Sequence, residues 1–269
     1  MSEGREAEAL TTDAMSARSI VQEYIVPIVT YIQREGQGYY HRLVGTAFFV
    51  GSCGIFVTAK HVIEQANAFI SKGDAEGWAI SGKFPLGTSQ DALLPVNGVE
   101  LAPHGLDVAV GYSNVSVVSP IKFSEAPDAM GLSVATLGYP ESALNILPQD
   151  FRIRLRTHKG YIQRLMEAED FPLRDHPNSF ELSFNVSHGL SGSPLIAQAG
   201  SAAGRAIGIC VGSIRTQLVD YAALLVDDNG RRVEEKHLMI ESYGIAHDVS
   251  PILDWCPSFI RDGTPLRNL

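Results

Sequence analysis

The chain has 269 residues, 45% of them hydrophobic and 19% charged, with no low-complexity block, enough to bury a core as one large domain or two small ones. A formal charge of −9 excludes the basic footprint that bulk nucleic-acid binding needs, and no apolar run approaches the ~20 residues of a membrane helix. Three cysteines at wide spacing, Cys53, Cys210 and Cys256, argue against a disulfide framework and a zinc site, and read as buried free thiols.

Residues 1–19 form a polar, acidic tail without the basic start and apolar middle of a secretory signal, so a cytoplasmic protein is expected. A short helix is expected from Thr12 to about Gln22. Apolar and β-branched runs of about five to eight residues follow, split by Gly, Pro, Asn and Asp in the manner of strands. They are YIVPIVTYI (24–32), LVGTAFFVG (43–51), GIFVTAKHV (54–62), GLDVAVGYS (105–113), LSVATLGYP (132–140), RIRLRTHKGYIQRL (152–165), SFELSFNV (179–186) and RAIGICVGS (205–213). YAALLVDDNGRRVEE (221–235) carries a DNG turn between two strand-like halves and reads as a hairpin. After that N-terminal segment, helical pattern is limited to VIEQAN after His61 and SPILDWC (250–256), where Ser250 suits an N-cap and Pro251 the first helical position. Many short strands with helices at the margins predict an all-β sandwich or barrel. SPIKFSEAPDAMG (119–131) is the best linker, dividing the strands into two sets of about a hundred residues each.

The chemistry starts at GLSGSP, residues 189–194. A serine hydroxyl is a poor nucleophile alone. It needs a base to take its proton and donors to hold the oxyanion that forms. A tight Gly-x-Ser-Gly turn supplies donors from the backbone, here the N–H groups of Gly189 and Ser191, and Gly192 leaves room for a substrate carbonyl. The bland alternative is an ordinary turn between strands. The base is sought on the other strand set, where VTAKHV (57–62) ends on His61. HGLDVAV (104–110) puts Asp107 at the head of an apolar strand, where a carboxylate needs partners such as an imidazole N–H and backbone amides. The order His61, Asp107, Ser191 is that of the chymotrypsin-type triad.

On these motifs the sequence resembles the trypsin-like (chymotrypsin-fold) serine proteases, of the compact bacterial kind related to the HtrA protease domain. GTAFFV, VTAKHV, LDVAV, ATLGYP, KGYI, GLSGSP and AIGICVG carry the resemblance, and YGIAHDVSPILDW is similar to the closing strand and terminal helix. The resemblance implies two antiparallel six-stranded β-barrels with the site between them. Residues 20–123 would form the first barrel and 124–269 the second, with a short C-terminal helix and no PDZ-like module after it. It implies a serine endopeptidase in which His61 is general base and acid, Asp107 orients it, Ser191 attacks, and the amides of Gly189 and Ser191 form the oxyanion hole.

Two departures stand out. Leu190 occupies the place of the aspartate that pairs with a newly cut N-terminus in secreted relatives, so activation by that cleavage is not expected. Val211 stands where the family often has a serine bonded to the triad aspartate, with Ser213 two residues on. By the resemblance, the specificity pocket draws on Asn185, His188, Cys210, Gly212, Ser213, Gly244 and Ala246. With no acid at its floor and small residues in its walls, it is expected to accept a small-to-medium uncharged residue. Arg152, Arg154 and Arg156 alternate on one strand face that the acidic run MEAED (166–170) could pair with. The remaining histidines show no metal-like cluster, so no metal or cofactor is expected. The expected partners are a protein or peptide substrate and a possible regulatory partner that gates the site, not nucleic acid or a membrane. The alternative is a catalytically silent, protease-like binding or scaffold module.

Overall fold

A computed structural model describes residues 21–34, 37–82, 92–127, 130–143, 145–147, 150–170, 177–226, 232–260 and 262–269. The polar tail, most of the expected 12–22 helix and the DNG turn lie outside them; residues 21–24 are helical. The first half builds β1 (Ile25–Arg34), β2 (Gln37–Val50), β3 (Ile55–Thr58), helix α1 (Lys60–Ser71), β4 (Gly77–Gly82), β5 (Ala92–Leu94), β6 (Gly98–Leu101) and β7 (Ala109–Tyr112). These seven strands form one antiparallel sheet in the order β5-β4-β1-β2-β3-β7-β6. The two edge strands are consecutive in the chain, joined by Pro95–Asn97. A link of three residues reaches only about 13 Å, so the sheet is rolled until its edges meet. The first sheet has seven strands where the resemblance implies six, with Pro95–Asn97 interrupting the run between β5 and β6.

Successive side chains of a strand point to opposite faces. Phe48 accordingly enters one core with Ile25, Val29 and Val57, while its neighbour Phe49 enters another with Ile28, Phe56 and Val62 of α1. Both faces are covered, which is why β1 and β2 read as nearly unbroken apolar runs. Helix α1 is twelve residues long, twice the expected segment, and buries Val62, Ile63 and Ala66.

The linker 119–131 is irregular where described, touching the second half through the Phe123–Ala206 bridge. That half contains β8 (Ser133–Gly138), β9 (Asn145–Leu147), β10 (Asp150–Arg152), β11 (Arg156–Met166), β12 (Ser179–Leu182), β13 (Pro194–Ala197), β14 (Ala206–Val226) and β15 (Arg232–Asp248). Six of them close a barrel, β11-β12-β15-β14-β13-β8, and β9–β10 is a separate hairpin. Leu182, Leu190, Leu195, Ile207 and Ala246 fill its interior.

Three local expectations are corrected. The helix expected over SPILDWC is shortened to one 3₁₀ helix, Ser250–Ile252. Pro257 follows closely, and a proline disfavours α-geometry in the residue before it. Of the acidic run, Asp170 lies 3.6 Å from Arg164 of β11, outside the expected arginine set, and that guanidinium also pairs with Glu181 of β12 at 3.0 Å. Cys53 is exposed on the β2–β3 turn; only Cys210 is fully buried. Among the described residues no helix is long and apolar enough to cross a membrane.

Candidate active site

The junction of the two sheets is built around Thr46, a fully buried residue of β2. Its N–H donates to Ser191 O at 2.8 Å. Its hydroxyl donates to Gly189 O at 2.7 Å and accepts the Tyr139 N–H at 2.9 Å, while its carbonyl accepts the Thr58 hydroxyl at 2.7 Å. One side chain of the first sheet thus ties down both the 189–191 loop and the end of β8. In the sequence, Thr46 is marked only as a polar residue inside the apolar run GTAFFV. Thr46→Val should destabilise the fold by about 2–4 kcal/mol, because a same-shaped side chain leaves a buried carbonyl and a buried amide unpaired. Thr46→Ser should recover most of it, as read from denaturant midpoints.

His61 sits in the first turn of α1, where four backbone N–H groups lack helical acceptors. Its own N–H donates to Asp107 Oδ1 at 2.8 Å, and its ring Nδ1 lies 2.5 Å from Asp107 Oδ2. An ionised carboxylate only accepts, so Nδ1 carries a proton, and in the neutral ring the lone pair is then on Nε2. Asp107 therefore both orients the ring and caps the helix. Its entry is a sharp turn at His104 and Gly105, with φ of 62° and 72°. Burial pushes the Asp107 carboxyl up, but the bonds from the His61 ring and amide and the nearby His61 and His247 imidazoles outweigh it. The net shift is below the ordinary carboxylate range.

His247 was not singled out in the sequence. It lies on β15, 1% exposed, and its Nδ1 accepts the Asp107 N–H at 3.2 Å. Period-two alternation places it on the same strand face as Ile245; that it meets Asp107, 140 residues away, is a tertiary fact.

Ser191 is nearly buried at the start of a tight turn, and its hydroxyl donates to Val211 O at 3.3 Å. Val211 is the extra residue of a bulge in β14, between the pairs Cys210–Ala246 and Gly212–Ile245. The amides of Leu190, Gly192 and Ser193 donate to the carbonyls of Ser187, Cys210 and Leu190. Those of Gly189 and Ser191 have no acceptor among the described residues. The His188 carbonyl accepts the Glu141 N–H at 2.7 Å, and the two ends of a peptide point opposite ways. The Gly189 N–H is thereby turned to the other side of the loop. Gly189 and Gly192 both have φ of +89°, and a Cβ on Gly192 would lie 2.1 Å from Thr46 O. Leu190 is fully buried in the second barrel, an apolar site with no place for an ammonium group.

The pocket residues divide. Asn185 accepts hydrogen bonds from Ser213 at 2.5 Å and Ser242 at 3.0 Å, so Ser213 is committed there and not to Asp107. Gly244 packs against Phe184 O and Val186, and a Cβ on Gly212 would meet open space. Cys210 and Ala246 are fully buried members of the barrel core. The Cys210 thiol, 3.6 Å from Thr136 Oγ1 and pushed up to about 11 mainly by burial, faces the interior and offers a pocket only its backbone. His188 lines a cavity of about 320 Å³ with Arg42, Leu43, Gln65, Phe69 and Gly189. Among the described residues no three His, Cys, Asp or Glu are grouped to hold a metal.

Residues 45–209 match a family model described as trypsin-like peptidase domain. A search of curated proteins finds no match. Among solved structures the chain is similar to the HtrA-type protease AlgW with decapeptide (14% identity, 92% of this chain and 68% of that one, TM-score 0.56). It is also similar to the MamO protease domain from Magnetospirillum magneticum in its apo form (13% identity, 89% and 98%, TM-score 0.53). At such identities the likeness is one of fold.

Proposed function

The chain belongs to the trypsin-like peptidase domain family of serine endopeptidases, and we propose that it cleaves proteins or peptides through an acyl-enzyme formed on Ser191. The observation that carries this reading is the pair of amides, Gly189 and Ser191, left without acceptors beside a serine hydroxyl. In the proposed reaction Ser191 Oγ attacks the scissile carbonyl carbon while His61 Nε2 takes its proton. The carbonyl electrons move onto oxygen, and the two amides hold that oxyanion. Collapse breaks the C–N bond, and His61 returns the proton to the leaving amine. Water, deprotonated by the same ring, then releases the acid and restores Ser191. Asp107 keeps the proton on Nδ1 throughout and steadies the imidazolium that forms transiently. The hydroxyl swings from Val211 O to His61 when substrate enters.

Asn185, Gly212, Ser213 and Gly244 bound a pocket for an uncharged, small-to-medium side chain, since an amide and hydroxyls offer no charge to pair with Arg, Lys, Asp or Glu. Competence does not depend on a newly cut N-terminus, because Leu190 cannot bind one. Restraint comes from narrow specificity or a gating partner in the cytoplasm. A fluorophosphonate probe, together with mapping of new N-termini in a lysate, tests all of this. Wild type should be labelled and Ser191→Ala should not, and the cuts lost in that variant should follow uncharged residues. No labelling of wild type, even with lysate present, would favour the silent scaffold, and undiminished labelling of Ser191→Ala would place the reactive nucleophile elsewhere. A dominant basic or acidic residue before the cuts would overturn the pocket alone.

A further inference from the structure

Strands β14 and β15 run far beyond the barrel. β14 pairs with β13 only at Ala206–Ile209, and β15 with β12 only at Gly244–His247. Outward of these the two strands pair with each other as far as Val226 and Arg232. From Ser213 to Val226 the ribbon extends about 40 Å at roughly 3.3 Å per residue. Its middle is apolar: Leu218, Val219, Tyr221, Leu238, Met239 and Ile240 are each between 40 and 61% exposed. The register puts Leu218, Met239 and Tyr221 on one face and Val219, Leu238 and Ile240 near the other. A two-stranded ribbon is at best marginally stable in water, and one apolar on both faces has no solvated side to rest on. A third or fourth strand would remedy both.

The two edges are not equivalent. Both bulges of the ribbon, at Val211 and Asp220, lie on β14. A bulge carrying a carboxylate is a device that blocks edge pairing. β15 takes no extra residue anywhere in this pairing, and from Arg232 to Tyr243 its outer edge has no partner strand among the described residues. Its sequence there, KHLMIES (236–242), is self-complementary when reversed. An antiparallel copy aligned about Met239 sets Leu238 against Ile240 twice, and sets His237, with Lys236 beside it, against Glu241. The free β15 edge supplies 12 residues, Arg232–Tyr243, a strand long enough to pair with its own copy over its whole length.

We propose that two copies of this chain associate through their β15 edges, antiparallel about Met239, making a four-stranded β14-β15-β15-β14 sheet with an isologous two-fold interface. The β14 edge at Val211–Ser213, beside Ser191, stays free in both copies.

The test is the mass of the full-length chain in solution and a cross-link at the axis. In a Cys53→Ser background, Met239→Cys should form an intermolecular disulfide under mild oxidation. Directly opposed strand residues have Cα atoms 4.5–5.5 Å apart, inside the range a disulfide spans. Glu241→Cys should not, since two copies of residue 241 lie about 13 Å apart along the strands. Light scattering should give a dimer for wild type and a monomer for Met239→Asp. Wild type that stays monomeric at ~100 μM, or a Glu241→Cys cross-link stronger than that at 239, would overturn the proposal. So would a monomer that co-floats with phosphatidylcholine–phosphatidylglycerol vesicles, which would assign the ribbon to a lipid surface.

Discussion

His61→Ala and Ser191→Ala should each lower kcat by about a million-fold, and the double variant no further. The reason is geometric. In the proposed mechanism the Nδ1–H of His61 stays on Asp107 Oδ2, and Nε2 is the ring atom that would take the Ser191 proton. Without that acceptor the hydroxyl is an alcohol of ordinary reactivity. Without the hydroxyl the base has nothing to activate. A residual rate about 10³–10⁴ above the uncatalysed one should survive in all three variants, from the two amides and substrate binding alone. Neither change opens a core: Ser191 is small, and the His61 side chain is about a third exposed. Asp107 also keeps the His61 N–H when the ring is gone. Turnover of a mapped peptide, set beside thermal unfolding of the same samples, reads both effects. Losses that multiply in the double variant would mean that the two residues act separately.

Gly189→Ala should lower kcat by about 10²–10³-fold with KM nearly unchanged. A Cβ at 189 would lie 2.2 Å from Tyr139 O and 2.9 Å from Glu141 N. Both are backbone atoms of the segment that closes β8, and cannot turn aside as a flexible side chain can. The φ of +89° adds strain for any residue but glycine. The peptide must therefore rotate, carrying the Gly189 N–H away from the oxyanion. In the proposed mechanism that donor acts on charge present only in the transition state, so its loss should fall on kcat. Gly204→Ala is the control: its φ is +77°, but nothing lies within 4 Å of the added carbon. It should cost some stability through strain and leave kcat unchanged. Equal kcat in Gly189→Ala would show that the loop tolerates the side chain and that this amide is not the donor.

Local pattern alone determined much of this. Runs such as YIVPIVTYI and LSVATLGYP specify strands because apolar, β-branched residues fit a buried pleat, and that information is local. GLSGSP announced a strained turn because only glycine sits easily at φ near +90° with backbone packed against it. Other features needed the folded chain. The break between β5 and β6 at Pro95–Asn97 and the shortening of the terminal helix to Ser250–Ile252 appear only in the folded chain. The inward thiol of Cys210, the placing of Ser213 on Asn185 and the role of Thr46 depend on atoms that meet across 28 to 143 residues of chain. His247 beside Asp107 and the unpaired β15 edge belong to the same class. A hydrogen bond selects partners by distance and direction after the sheets have closed, and no local pattern encodes which distant carbonyl or ring will be waiting there.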